Sequence, residues 1–334
     1  MPRVTIKDIA RELNISPSTV SRALNNHPAI SKATKNLVKE TASRLNYYPN
    51  SIAQSLKQQR SKIIGVIVPE IKHEYFASAI SGIEEVAYKA GYALVVSQSN
   101  EQMEREQFNV LSMINNRVDG LIVSRSQSTT DSAHFKKALE VGIPVIFFNR
   151  ICEDVKTIKV VSDDFNGAYQ ATQHLIERGY RRIAHFAGPS IVPACRERLA
   201  GFQKALQDAG LSCPREWILY GGMHEIDGQR SMEKLLQLKE QPEAILAVND
   251  PVAVGAFTII KKKGLKIPRD YALVGFSNNS VVALLEPPLT TVDEKPFVLG
   301  QKSMELLLAS LKGQLELKDK EIRCQTELII RQST

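Results

Sequence analysis

From residue 62 onward, short runs of consecutive apolar residues alternate with longer segments of helical periodicity. The run at 63–68 has no charged residue in six positions, which is typical of a strand buried on both faces. Strands that alternate with helices form parallel sheets through right-handed crossovers, so this part of the chain is predicted to be α/β. The other predicted strands lie at 93–96, 120–123, 144–148, 183–187, 244–248, 272–276 and 327–330.

Two series of such elements share one pattern. Each opens with a strand and a turn that contains proline, at Pro69 and at Pro189, and continues into a helix that closes on Ala-Gly, at 90–91 and 209–210. We therefore expect two similar lobes, each a doubly wound parallel sheet. Ligands of open parallel sheets bind at the carboxyl ends of the strands, so the expected site is the cleft between the lobes.

The first 48 residues have a different texture and predict three short helices. Thr5 can cap the first helix, with Asp8 as its capping-box partner. Ser16 can cap the second, whose first position is Pro17, and Ser31 can cap the third. Two helices joined by a tight turn and braced by a third form a helix-turn-helix pattern, so a small all-α DNA-binding domain is expected here.

The charge distribution supports a polyanion as the partner of this segment. Residues 1–62 carry 11 basic and 3 acidic side chains, a net charge of +8, whereas the remaining residues sum to −1. Such asymmetry favours a nucleic-acid-binding module fused to a neutral body. A solvated basic surface is the alternative that charge alone leaves open.

The second predicted helix exposes side chains suited to reading DNA. Arg22 has paired donors that fit guanine, while short hydroxyl side chains and Asn25 can hold phosphates. An ordinary polar helix face is the alternative. Further along, Asn50 can cap a short helix that needs a partner to become ordered, and Leu56 is a candidate for insertion into a minor groove. A plain linker remains the alternative for that segment.

Residues 3–57 resemble the DNA-binding domain of the LacI/GalR (lac and purine repressor) family. The matching segments are 4–10, 16–25 and 50–56; one departure is Asn14, where the family usually has glycine. The resemblance implies that Pro17, Ser18 and Arg22 face bases and that Leu56, with its copy in a homodimer, opens the central minor groove. The complete DNA-contacting set that it predicts is Thr5, Ser16, Pro17, Ser18, Thr19, Ser21, Arg22, Asn25, Ser31, Asn50, Ala53 and Leu56.

The body of the chain resembles the effector-binding core of the same family, which is similar to periplasmic sugar-binding proteins. Matching segments lie at 64–69, 148–150, 174–184, 198–202, 248–250, 274–276 and 287–292. The expected domains are therefore a helix-turn-helix domain at 1–48, a hinge helix and linker at 49–61, and a two-lobed effector-binding and dimerisation core at 62–334.

Candidate effector contacts follow the predicted strands. Asn149 offers a donor and an acceptor to a ligand hydroxyl, and Arg198 matches the family's pocket arginine, with a fork of donors for hydroxyls or a carboxylate. Ser277 occupies a position where the family often has aspartate. The predicted effector set is Tyr75, Phe76, Asn149, Arg150, Arg198, Asn249 and Ser277.

Several of these residues have simpler interpretations. Tyr75 and Phe76 could be core aromatics, and Arg150 could form a surface or interlobe salt bridge. Three acidic residues near helix starts are interpreted as N-caps rather than ligand groups: Asp163, Asp164 and Asp250.

Motifs for catalysis or for cofactors are missing from the sequence. Glycine-rich nucleotide loops and a Ser nucleophile elbow are absent, and the His-Glu pairs at 73–74 and 224–225 lack the second histidine of a zinc motif. No cofactor, resident metal or enzymatic activity is predicted. The four cysteines are dispersed, and neither a signal peptide nor a membrane span is evident, which favours the cytoplasm.

These features together predict a dimeric transcriptional regulator, a repressor, that binds a pseudopalindromic operator. A small molecule in the cleft, a sugar or a related metabolite, is expected to control its operator affinity. A binding protein or a sugar-processing enzyme is the second hypothesis, and an architectural DNA-binding protein is the third. Steep loss of DNA affinity with salt would separate the first hypothesis from the second.

Overall fold

The computed structural model describes residues 4–47 and 60–334, and the chain divides into two compact units, 1–61 and 62–334. The predicted hinge contacts Asn50, Ala53 and Leu56 lie outside the described residues.

The first unit contains the three predicted helices: α1 (Ile6–Glu12), α2 (Pro17–Leu24) and α3 (Lys32–Arg44). Their shared core consists of Ile9, Ala10, Val20, Ala23, Val38 and Ala42. Helical spacing in α3 predicts an inward face of Ala33, Leu37, Val38, Ala42 and Leu45. The prediction is wrong for two of these residues, because Ala33 is exposed and the Leu37 side chain is 51% exposed. The core of three short helices is too small to cover every apolar position of α3, and single exposed apolar residues are ordinary.

The predicted caps are present in the first unit. Thr5 donates its backbone N–H to the Asp8 carboxylate (2.9 Å), which closes a capping box. Ser16 Oγ accepts the backbone N–H of Thr19 (3.1 Å), and Ser31 Oγ accepts that of Thr34 (3.1 Å). Asn14, at the turn between α1 and α2, has a φ of 51°, which explains why asparagine can replace the family's glycine there.

The second unit is an α/β fold of two sheets. Two short 3₁₀ helices, Arg215–Trp217 and Ser280–Ala283, accompany its regular elements. In chain order these elements are β1 (Ile63–Val68), α4 (Glu74–Lys89), β2 (Ala93–Gln98), α5 (Met103–Asn115), β3 (Gly120–Val123), α6 (Ala133–Glu140), β4 (Val145–Phe148), β5 (Ile158–Ser162), α7 (Asp164–Glu177), β6 (Ile183–Phe186), α8 (Pro193–Asp208), β7 (Ile218–Leu219), α9 (Glu225–Leu235), β8 (Ala244–Ala247), α10 (Asp250–Lys262), β9 (Ala272–Phe276), β10 (Thr290–Asp293), α11 (Pro296–Leu311), β11 (Lys320–Cys324) and β12 (Glu327–Ile329).

Each sheet has six strands and defines one lobe. The first lobe has the order β11-β5-β4-β3-β1-β2, and every pairing in it is parallel. The second lobe has the order β12-β10-β9-β8-β6-β7, in which only β12 runs antiparallel to its neighbour β10. The two doubly wound lobes predicted from the alternation of strands and helices are thereby confirmed.

The chain passes between the lobes three times, at the β5–α7, β10–α11 and β11–β12 connections. Helix α7 packs on the core of the second lobe, where Ala168 and Leu175 contact Ile183 and Phe202. Helix α11 returns to the first lobe and packs closely on α4, because Gly82 would place a Cβ within 2.0 Å of the Phe297 carbonyl oxygen. Neither lobe is therefore one continuous segment of the sequence.

Among the described residues, no helix is long and apolar enough to cross a membrane.

Candidate functional site

A cavity of about 50 Å³ lies between the two lobes of the second unit. The carboxyl ends of strands from both sheets meet there, as expected for parallel sheets. The cavity brings together all seven residues that the sequence singled out for the effector: Tyr75, Phe76, Asn149, Arg150, Arg198, Asn249 and Ser277.

Asn149 is the predicted residue with the most available polar group. It ends β4 with a φ of 57°, a left-handed conformation that asparagine tolerates, and its side chain is half-buried at the cavity. Within the described part of the chain its amide forms no hydrogen bond. Both its donor and its acceptor are therefore free to face a ligand.

Phe76 and Arg150 form one wall of the cavity. Phe76 is 4% exposed and meets Phe148 edge to face at 6.4 Å, so it is both a core residue and a lining residue. The Arg150 guanidinium lies 5.7 Å above the Phe76 ring and pairs with Glu101 of the same lobe at 2.6 Å. Its other contact, to Met223 Sδ at 3.5 Å, reaches the second lobe. The interlobe salt bridge considered from sequence does not form.

Arg198 lies at the point where the chain passes between the lobes. Its Nε–H donates to Asp164 at 2.7 Å and its terminal amino groups donate to Glu294 (2.7 Å) and to the Val248 carbonyl (2.5 Å). The guanidinium also covers the Phe276 ring at 3.7 Å and is 3% exposed. Arg198 thus lines the cavity, but its donors are occupied by the protein itself.

The environment of Arg198 perturbs the carboxyl group of Asp164. Burial raises the pKa of Asp164 above the usual aspartate value, with Arg198 opposing that shift and the neighbouring Glu294 adding to it. The interpretation of Asp164 as a helix cap is wrong, because Asp163 caps α7 by accepting the Asn166 backbone N–H (3.3 Å). Asp164 instead holds Arg198 at the first crossing between the lobes.

Asn249, and not Asp250, caps the helix that begins here. Asn249 is the N-cap of α10: it accepts the Val252 backbone N–H (3.0 Å) and donates its amide to the Met223 carbonyl (2.9 Å). Asp250, interpreted from sequence as the cap, is fully buried and accepts hydrogen bonds from the Thr291 hydroxyl (2.7 Å) and the Asn279 backbone (2.7 Å). The Asn249 amide lines the cavity with both of its ends already bonded.

Glu294 is a charged lining residue that sequence reasoning missed. The Ser277 hydroxyl donates to Glu294 at 2.7 Å. Glu294 therefore supplies a carboxylate beside Ser277. The available signal was its place just past the carboxyl end of β10, two residues beyond the matching segment at 287–292.

Contacts across the cleft hold the lobes together around the cavity. The Glu74 carboxylate accepts the Ser280 backbone N–H at 2.8 Å, and Arg125 donates to the Ile191 carbonyl at 3.0 Å. His73 stacks on His224 with 5.4 Å between ring centroids. Burial lowers the pKa of His73 below the usual histidine value, and the nearby Glu70 only partly opposes this effect. The cleft is closed in this structure.

In the first unit, the predicted DNA-contacting residues line the solvent-facing side of α2 and the helix starts. Seven are exposed, and Thr19 and Ser21 are half-buried. The Ser16 hydroxyl is engaged with Ser18 and Thr19 (2.8 Å each), and the Asn25 amide donates to the Ser21 carbonyl (2.8 Å). The exposed seven are Thr5, Ser16, Pro17, Ser18, Arg22, Asn25 and Ser31.

Two family models match the chain and together cover nearly all of it. Residues 5–50 match the model of bacterial regulatory proteins of the lacI family. Residues 61–331 match the model of periplasmic binding proteins and the sugar-binding domain of the LacI family.

Curated proteins and solved structures agree with these models. The transcriptional repressor PurR of Actinobacillus pleuropneumoniae serotype 3 is 33% identical, with 98% of each chain covered. The repressor CytR of Escherichia coli K12 is also 33% identical over 99% of this chain and 96% of its own. The lac repressor dimer bound to operator and the anti-inducer ONPF superposes with a TM-score of 0.88 at 26% identity, covering 99% of each chain. A complex of the regulator CelR with cellobiose gives a TM-score of 0.76 at 26% identity, over 99% of this chain and 100% of that one.

Proposed function

Because this chain belongs to the LacI family of bacterial regulatory proteins, we propose that it binds a pseudopalindromic operator as a homodimer and represses transcription. A small molecule in the interlobe cavity controls its operator affinity. The observation that carries this proposal is the coexistence of a capped helix-turn-helix unit with a cavity that gathers all seven predicted effector contacts. As a regulator that binds DNA, it acts in the cytoplasm.

The exposed face of α2 supports the DNA-binding half of the proposal. Arg22 is exposed and forms no ion pair among the described residues, so its paired donors are available for guanine. Pro17 and Ser18 begin the same helix. Pro17 has no N–H and Ser16 caps the N–H of Thr19, so the backbone N–H of Ser18 is the one that the first turn leaves for a DNA contact. We assign base contacts to Pro17, Ser18 and Arg22, and phosphate contacts to Ser16, Thr19, Ser21, Asn25 and Ser31.

The domain organisation that fits this function has three parts. Residues 1–48 read DNA, residues 49–61 form the hinge with Leu56 as the minor-groove wedge, and residues 62–334 bind the effector and dimerise. The hinge is the coupling element in this proposal, since a short helix that forms only on DNA responds to small changes in dimer geometry.

The size of the cavity constrains how the effector enters. Pockets for small molecules usually measure about 300–1,000 Å³, whereas this cavity measures about 50 Å³. A sugar or related metabolite therefore binds only after the cleft opens. Once bound, such a ligand shifts the balance between the closed and open arrangements to the extent that its affinities for the two differ.

A selection of genomic fragments by the purified full-length protein, at moderate salt, tests the proposed function. We expect enrichment of one pseudopalindrome beside an operon, whose enzymes then nominate the effector. Repeating the selection with pooled metabolites identifies ligands that release or strengthen binding. A chain that enriches no fragment in either selection is not a sequence-specific regulator.

The assignment of the cavity is tested by Asn149→Gly. Glycine accepts the left-handed backbone of this position, so the change removes the free amide without strain. Loss of one or two hydrogen bonds should raise the effector concentration needed for half-maximal operator response about tenfold, with operator affinity itself unchanged. Asn100→Gly is the matched control, since Asn100 has a φ of 50° and does not line the cavity. Equal effector titrations of both variants and the wild type would refute the assignment.

A further inference from the structure

Glu70, His73 and His224 form a cluster beside the interlobe cavity. Glu70 Oε2 lies 2.8 Å from His73 Nε2, and one potential ligand atom from each of the three residues lies within 4.8 Å of the others. Glu70 and His73 belong to the β1–α4 connection of the first lobe, whereas His224 precedes α9 of the second lobe. The cluster therefore spans the cleft.

This donor set matches the preferences of a divalent transition ion. Imidazole nitrogens and a carboxylate oxygen bind Zn²⁺ at about 2.0–2.2 Å, which puts neighbouring tetrahedral ligands roughly 3.3 Å apart. The spacings in the cluster, from 2.8 Å to less than 4.8 Å, bracket that value. The rings of His73 and His224 are stacked at 20° to each other, so one ring must turn to direct its nitrogen lone pair at the same ion. Three protein ligands leave one coordination position open.

The surrounding charges are compatible with a bound cation. Glu70 and His73 side chains are only 17% and 23% exposed, so an ion there would be partly shielded from water. Lys72 Nζ lies 3.3 Å from Glu70 Oε2, but its side chain is 72% exposed and can move into solvent. The other nearby cation, Arg150, is paired with Glu101.

We propose that Glu70, His73 and His224 bind one divalent transition ion, of the Zn²⁺ type, as a bridge between the two lobes. The two His-Glu pairs of the sequence, each too short for a zinc motif, are brought together here by the closed cleft. An ion held by both lobes stabilises their closed arrangement by mass action. It therefore opposes the opening that an effector in the cavity requires, whichever effector that is.

The test titrates Zn²⁺ alone into chelator-treated full-length protein by calorimetry. We expect one ion per chain and an increase in the melting temperature of the wild type. His73→Ala, His224→Ala and Glu70→Gln should each weaken the affinity at least about tenfold and abolish most of the thermal shift. Co²⁺ provides a second readout, because its visible absorption reports a tetrahedral nitrogen and oxygen environment.

His27→Ala is the control, because His27 is exposed and lies in the other compact unit. It should bind Zn²⁺ as the wild type does. The proposal is overturned if His73→Ala and His224→Ala bind Zn²⁺ with unchanged affinity and stoichiometry. It is also overturned if only the substitutions at Glu70 and His73 matter, because the ion would then not bridge the lobes. The titration contains neither DNA nor effector, so its result is separate from that of the operator selection.

Discussion

Arg198 draws its three partners from distant parts of the chain, and its removal would leave the Asp164 and Glu294 carboxylates buried without a counter-charge. We predict that Arg198→Ala lowers the free energy of unfolding by about 3–5 kcal/mol in urea titrations. The neighbouring Arg196, whose side chain is 46% exposed and pairs with Glu153, gives the matched control. Arg196→Ala should change stability by less than about 1 kcal/mol. Equal stabilities of the two variants would show that Arg198 is not an internal tie.

His185 is a second residue whose environment makes a measurable prediction. It is completely buried, stacks on Phe202 at 5.0 Å and donates Nδ1–H to the Leu246 carbonyl at 2.9 Å. Burial lowers the pKa of His185 from 6.5 to about 4. Below pH 6.5 the unfolded chain takes up a proton that the folded chain refuses, so this residue removes stability as the pH falls from 6.5 to about 4.

His185→Phe tests that linkage, since phenylalanine can keep the stack on Phe202 and has no titrating group. The lowered pKa of His185 corresponds to at most about 3 kcal/mol of unfolding free energy. The variant should lack that part of the stability loss that acid causes in the wild type. Urea titrations of variant and wild type at several pH values between 4 and 7 measure the difference. Parallel stability curves over that interval would contradict the prediction.

At the scale of elements, the contact between α10 and β9 depends on a glycine. A Cβ on Gly275 would lie 2.1 Å from Asp250 Oδ1 and 3.0 Å from Leu289. Gly275→Ala should therefore lower the free energy of unfolding by about 1–3 kcal/mol, because the buried carboxylate has little room to move. Thermal or urea unfolding measures the change. At Gly221 the nearest atoms to a Cβ are 3.7 Å away, and Gly221→Ala should leave stability nearly unchanged. A Gly275→Ala chain as stable as the wild type would mean that the strands shift easily.

The local sequence pattern was enough to predict elements whose signature lies within a few neighbouring residues. The strand at 120–123 and the cap at Ser16 were predicted because a fully buried strand and a helix start each have a local signature. Strands β5, β7, β10 and β11 were not predicted. β11 has the sequence Lys-Glu-Ile-Arg-Cys and is a charged edge strand, whose place in the sheet depends on pairing with β5, about 160 residues earlier. Such pairing leaves little trace in a single sequence.

For the candidate site, too, the sequence predicted some features and not others. Sequence position placed all seven predicted effector residues at one cavity, because the carboxyl ends of parallel strands converge. It could not show which of their polar groups are available. Asn149 keeps a free amide, whereas Arg198 and Asn249 are occupied by partners 26 to 96 positions away or by the start of their own helix. Whether a polar group is available to a ligand depends on the partners that the folded chain brings to it.

For the whole molecule, the separation of charge predicts where DNA affinity resides. The excess of positive charge lies in residues 1–62, and residues 62–334 form a compact unit with its own cores. A chain that begins at residue 62 should fold and show no measurable operator binding. The full chain should lose about a thousandfold or more in affinity between about 50 and 200 mM salt, as counterion release requires. Fluorescence anisotropy with a labelled operator checks both, and operator binding by the shorter chain would contradict them.

The three passages of the chain between the lobes have a consequence for how such a regulator can be recombined. The N-terminal unit is one continuous segment of the chain. A gene fusion with a single junction near residue 61 would therefore join it to the core of a relative. Each lobe is built from separated stretches, and Arg198 ties two of the crossings together. Exchange of one lobe would need several junctions that meet around the same buried charges. One recombination event can therefore give such a regulator a new operator specificity. A new effector specificity is reached more simply by single substitutions in the cavity.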